Sequence, residues 1–135
     1  MIIDTHCHLI SEKYEDLDLV RAESLALGVG HCVTQGTSTY DWEPQLALAA
    51  RMPDFVSSCL AVHPSEVHTV SDEQFEHMVQ LCRSHPQAAI GETGLDYFWD
   101  APEGWSEQDF RARQRDLLER HFALAQGLGL NISLH

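Results

Sequence analysis

Ala89-Ile90-Gly91-Glu92-Thr93-Gly94-Leu95-Asp96-Tyr97 places a carboxylate between two glycines, inside a segment otherwise suited to a buried strand. A buried carboxylate is costly unless it is paired or bound to a metal. Glycines beside it imply close approach of a backbone or a ligand. Glu92 is therefore placed to bridge two cations. Asp96, four residues further on, falls on the same side of an idealised strand. It reads as facing substrate or supporting a ligand rather than as a ligand itself.

Working outward, the sequence alternates short apolar segments with longer amphipathic ones. Strands are expected over Met1–His8, His31–Gly36, Phe55–Val62, Ala88–Leu95 and Leu130–His135. Helices are expected over Leu17–Leu27, ending at Gly28, and over Trp42–Met52, with Pro44 tolerated in the first turn. The second helix should turn Trp42, Leu46, Ala49 and Ala50 inward. Ser71-Asp72-Glu73-Gln74 reads as a capping box, followed by Phe75, Met78, Val79 and Cys82 on one face. A long helix spans Ser106–Leu128, with Phe110, Gln114, Leu117, Leu118, His121, Ala125 and Leu128 in register.

This βαβαβαβαβ order calls for a parallel sheet with right-handed crossovers. A doubly wound sheet could be complete in 135 residues, whereas a whole (β/α)8 barrel takes about 250. Periodicity alone slightly favours the doubly wound sheet; the polar residues favour the barrel. His6 and His8 converge on one side of the first strand while Cys7 faces away. The third strand closes at His63, the fourth carries Glu92 and the fifth ends at His135. Four of five strand ends thus carry a metal-competent side chain, and barrels hold their active sites at that end. Thr34, Gln35 and Thr37 on the second strand break the series and read as structural. Asp4 shares a side with His6 and His8 and is expected to bond a ligand imidazole. The loop Trp99–Trp105 follows a strand, where barrel active-site loops lie. The expected fold is α/β, a (β/α)8 TIM-barrel type seen as a partial barrel of five parallel strands and four helices. Residues 1–135 would form the N-terminal portion of one barrel domain.

The formal net charge of −13 argues against a general basic surface for nucleic acid. Metal ions at a site offset that objection. Arg111, Arg113, Arg115 and Arg120 form the sole basic run and read as a solvated helix surface. Cys7, Cys32, Cys59 and Cys82 include no Cys-x-x-Cys pair, so reduced thiols are expected rather than disulfides or a zinc site. No basic start with an apolar run suggests a secretory signal, and no long apolar stretch suggests a membrane span. A cytoplasmic location is expected. No Gly-x-Gly-x-x-Gly or phosphate-loop turn follows any strand, which weakens a nucleotide-binding reading.

Asp4-Thr5-His6-Cys7-His8-Leu9, His63-Pro64, Ile90-Gly91-Glu92-Thr93-Gly94-Leu95-Asp96-Tyr97 and Ile132-Ser133-Leu134-His135 together resemble the TatD family of metal-dependent hydrolases, within the amidohydrolase-like barrel superfamily. The resemblance covers essentially the whole chain, and the Gly-Glu-Thr-Gly-Leu-Asp-Tyr block is its most specific part. It implies that His6 and His8 hold one divalent ion (Mg²⁺, Mn²⁺ or Zn²⁺) and that His135 helps hold a second. Glu92 bridges the two as the catalytic residue, with His63 facing the substrate phosphate. It further implies phosphodiester hydrolysis in DNA, trimming single strands from the 3′ end. Ala61 stands where the family usually has Gly, and Ile10 where it often has an acidic residue. The family's further His, its late Asp ligand and the Arg after the strand-five His have no counterpart before the chain ends. That leaves an incomplete site, two unpaired sheet edges and an expectation of self-association. The competing readings are a barrel hydrolase of another ester or amide, and a truncated product without catalysis.

Overall fold

The computed structural model describes residues 1–135. Aliphatic and β-branched runs form five strands: β1 (Ile2–Cys7), β2 (Val29–Gln35), β3 (Val56–Leu60), β4 (Ala89–Thr93) and β5 (Ile132–Leu134). Four helices alternate with them: α1 (Leu17–Ala26), α2 (Trp42–Arg51), α3 (Asp72–Ser84) and α4 (Glu107–Leu128). Helix starts follow the side chains that satisfy free backbone N–H groups. Asp16 accepts from the N–H groups of Asp18 and Leu19 ahead of α1, and Ser106 accepts from Asp109 ahead of α4. Both halves of the Ser71–Gln74 capping box form at α3. Helix α4 stops at Gly129, whose φ of +66° suits a residue without Cβ.

Strand order decides between the two architectures. A doubly wound sheet reverses its order at a switch point. Here the order is β1-β2-β3-β4-β5 with every neighbouring pair parallel. This is the wall of a barrel, seen as a curled half of five strands with its helices outside.

The core has two parts. The larger lies under α3 and α4 against β3 and β4, around Leu60, Phe75, Met78, Ile90, Phe110 and Leu117. The smaller gathers Leu9, Cys32, Leu48, Met52, Phe55 and Val56 near β1 and β2. Phe75, Met78, Val79 and Cys82 are all buried, as the capping box and spacing imply. The inward face of α2 is rotated from the expected one: Trp42, Gln45 and Leu48 are buried and Ala50 is exposed. Bonds from Gln45 Nε2 to the Gln35 carbonyl and from Trp42 Nε1 to the Ala61 carbonyl, each 2.7 Å, fix that rotation. Along α4, Leu124 is buried while Leu118 and Leu128 are half-buried.

The two outer strands remain open. Ile2 and Ile3 on β1 and Leu134 on β5 are more than half exposed, and no residue of α1 is buried. All four cysteines are free thiols, three of them buried. No helix is long and apolar enough to cross a membrane.

Candidate metal centre

The C-terminal ends of β1, β3, β4 and β5 meet at Glu92, which is only 5% exposed. Its backbone N–H donates to the Gly36 carbonyl at 3.0 Å, tying the end of β4 to the end of β2. The glycines around it are explained by β5. A Cβ on Gly91 would collide with the Ser133 side chain, and one on Gly94 would lie 2.9 Å from the His135 carbonyl oxygen. The close approach that these glycines permit is therefore made by a neighbouring strand. It brings His135 beside Glu92, and the His135 N–H donates to the Thr93 carbonyl at 2.8 Å.

Each oxygen of Glu92 faces its own pair of imidazoles. Oε2 lies 3.1 Å from His6 Nε2 and 3.3 Å from His8 Nε2. Oε1 lies 2.7 Å from His135 Nδ1 and 3.8 Å from His63 Nε2. Within each triad the potential ligand atoms are all within 4.8 Å of one another. Cys7 turns away, its thiol reaching the Val33 carbonyl. Burial opposes the charge on Glu92, but bonds from His8 and His135 and the nearness of His6 and His63 outweigh it and bring its pKa to about 2. The bond to Glu92 raises the pKa of His8. Burial lowers that of His63 despite the nearby carboxylate.

The proton positions on His63 follow from its partners. Its Nδ1 accepts from the Ser65 backbone N–H at 3.2 Å, a group able only to donate, so the neutral ring carries its proton on Nε2. That Nε2 lies 3.0 Å from His135 Nδ1. On the far side of the His135 ring, Nε2 stands 3.5 Å from Asp96 Oδ2. His135 thus lies between two carboxylates, with Nδ1 at 2.7 Å from Glu92 Oε1 and Nε2 facing Asp96.

The expected site residues His6, His8, His63, Glu92, Asp96 and His135 are thus brought together. Asp4 is not part of this network: its carboxylate accepts from the His6 backbone N–H at 3.0 Å and touches no imidazole. The short side chain turns back onto its own chain two residues on, as Asp commonly does. Thr34 and Gln35 are structural, bonding Leu9 N–H and the Thr5 carbonyl.

Three supporting residues carry no motif. His121 is fully buried on α4; its Nε2 accepts from the Val62 N–H at 3.1 Å, and its Nδ1 lies 2.6 Å from the Leu117 carbonyl and 3.0 Å from Thr93 Oγ1. It thereby fixes the residues adjoining His63 and Glu92. Gln114 makes two bonds to the Asp96 backbone, of 2.9 and 3.0 Å. Asp41 accepts from Thr37 N–H and Oγ1 and from Ser38 N–H, while the Thr37 carbonyl accepts from the His63 N–H. Burial raises the Asp41 pKa, against those bonds. A polar residue on an otherwise apolar helix face is the signal that marks Gln114 and His121. No sequence signal marks Asp41.

A cleft of about 160 Å³ opens over the cluster, lined by His8, Thr37, Tyr40, His63, Ser65, Glu66 and Glu92. A larger cavity of about 390 Å³, between α2 and the α3–β4 connection, contains none of the cluster.

Known proteins are similar to this chain in sequence and fold. The uncharacterized metal-dependent hydrolase YabD of Bacillus subtilis is 32% identical over 139 residues, which span 100% of this chain and 50% of YabD. The 3′-5′ ssDNA/RNA exonuclease TatD of Edwardsiella piscicida is 29% identical over 99% of this chain and 49% of its own length. The crystal structure of YjjV, a TatD homolog from Escherichia coli, superposes with a TM-score of 0.80 at 30% identity, covering 98% of this chain and 49% of that one. The chain spans about half the length of the curated relatives it matches. The TatD related DNase family matches residues 3–135, and with the strand order and the Glu92 cluster this establishes that the chain belongs to that family.

Proposed function

We propose that this chain forms the N-terminal portion of a single hydrolase barrel whose site cleaves phosphodiester bonds in DNA. One observation carries the reading: the two oxygens of Glu92 are divided between two histidine pairs. Neutral imidazoles and a carboxylate are donors suited to Mg²⁺, Mn²⁺ or Zn²⁺. The ligand atoms of each triad, all within 4.8 Å of one another, fit a cation there. His6, His8 and Glu92 would hold one divalent ion; Glu92 and His135 would contribute to a second. Such ions supply positive charge to the scissile phosphate and acidify an attacking water.

The protein's own groups do the positioning. Glu92 is the catalytic residue, since it holds both halves of the site in register. His63, with its proton on Nε2, is a donor to a substrate phosphate oxygen. Asp96 orients His135 and faces the substrate side. A single-stranded DNA substrate, entered from the 3′ end, is supported by the family and by the activity named for the Edwardsiella relative. Free thiols support a reducing, cytoplasmic setting. The open edges at β1 and β5 support self-association.

The test is release of label from 3′-labelled single-stranded DNA, with Mn²⁺ or EDTA, by the complete barrel that carries this portion and by its Glu92→Gln variant. Release that needs both metal and Glu92 supports the proposal. Release that persists in EDTA or in the variant contradicts it, and metal-dependent cleavage of small esters but not DNA moves the assignment to another substrate class.

A further inference from the structure

Four aromatic side chains are exposed in the loop after β4. Phe98 is 82% and Trp99 64% exposed, with Tyr97 and Trp105 partly so. An exposed aromatic cluster on a single loop needs a reason, whereas scattered apolar residues do not. Phe98 and Trp99 pack edge to face at 4.8 Å, which leaves ring faces open to solvent.

The loop adjoins the candidate centre. A cavity of about 110 Å³ beneath it is lined by Ser65, Asp96, Trp99 and Phe110, among others. Ser65 Oγ lies 2.7 Å from His63 Nδ1, and Asp96 lies 3.5 Å from His135. One wall of the cavity therefore consists of the residues that orient two of the site's histidines. Ser65 also lines the cleft over Glu92, so the two hollows share a wall.

Charge fits as well. Arg115 donates to the Tyr97 hydroxyl at 3.1 Å and has no carboxylate partner, and the Arg111 guanidinium lies 4.8 Å from the Tyr97 ring centre. Arg111, by contrast, is 3.3 Å from Glu107, and Arg113 and Arg120 are paired with Asp72, Asp116 and Glu76, so Arg115 alone of the four has no carboxylate partner. Asp100 and Glu103 lie in the same loop, so attraction here comes from ring faces more than from net charge.

We propose that Phe98 and Trp99 form a stacking ledge for the bases of a single-stranded nucleic acid whose phosphate enters the Glu92 cleft, a reading that rests on the phosphodiesterase assignment. Every base has a π-face, so stacking on aromatic rings tolerates any sequence, and Arg adds to it.

The test measures, by fluorescence anisotropy in EDTA, binding of the chain to a labelled oligothymidine and to an abasic strand of equal length. The expected result is at least about tenfold tighter binding of the oligothymidine, with that preference lost in a Phe98→Ala/Trp99→Ala double variant. Both residues are exposed, so the variant should fold, which an unchanged melting temperature checks. Equal affinity for the two strands, or a preference that survives in the variant, overturns the ledge. Mn²⁺ binding measured on the same variant separates the two claims. If it persists and depends on Glu92 while the base preference is absent, only the ledge fails. If metal does not bind and base preference remains, the phosphodiesterase reading fails and the ledge stands as a nucleic-acid contact.

Discussion

At the scale of single residues, the site depends on side chains whose neighbours fix which atom carries a proton. His121 is the least replaceable of the supports, because burial holds it neutral with its pKa lowered to about 4. Its folded pKa lies below the unfolded value of about 6.5. The resulting stability is therefore fully present above pH 6.5 and is lost as pH falls from there toward about 4. Chemical denaturation across that window should show a loss on the order of 3 kcal/mol, and a His121→Ala variant should lose the slope. The same substitution leaves the Val62 N–H unsatisfied and opens a cavity, so about 3 kcal/mol of stability should go at neutral pH. Asp96→Asn tests the orientation of His135. Metal affinity should fall about 10- to 100-fold with an unchanged melting temperature, as for other supports of metal-bound histidines. Unchanged affinity would mean that Asp96 has no part in holding that ring. These supports were largely illegible in the sequence. A buried His or Gln on a helix looks the same whether it fills space or bonds a strand end, and Asp41 precedes a helix without capping it. The ligand-type residues were legible because they recur at strand ends in otherwise aliphatic segments.

At the scale of elements, local structure is legible where a single motif dictates it. The capping box at Ser71 and the buried face of α3 both form as the spacing implies. Ser71→Ala should cost about 1 kcal/mol in a thermal or urea melt and leave metal binding untouched. The orientation of helix α2 is less legible, because it is set by bonds from Trp42 and Gln45 to backbone carbonyls, and hydrophobic spacing does not encode these. The β4–β5 contact shows how a glycine serves the site. Gly91→Ala would press on Ser133 and should cost about 1–3 kcal/mol as overpacking. Because Glu92 is the next residue, metal affinity should drop as well. A melt unchanged in that variant would mean that β5 shifts freely, contrary to the packing described above.

At the scale of the molecule, periodicity alone left a barrel and a doubly wound sheet open. The polar residues at the strand ends point to the barrel, and the long-range pairing order, which no local pattern carries, decides for it. Open edges at β1 and β5, with Ile2, Ile3 and Leu134 exposed, predict that the isolated chain elutes above its mass of 15.2 kDa in size-exclusion chromatography. A sharp monomeric peak with a cooperative melt would contradict this. The proposed centre is nevertheless local, with one carboxylate joining two candidate metal sites. Calorimetric titration with Mn²⁺ and Zn²⁺ of the wild type, Glu92→Ala, His6→Ala and His135→Ala tests it most directly. Glu92→Ala should abolish binding, while each histidine variant should weaken one site and leave the other. Binding that survives intact in Glu92→Ala would contradict it.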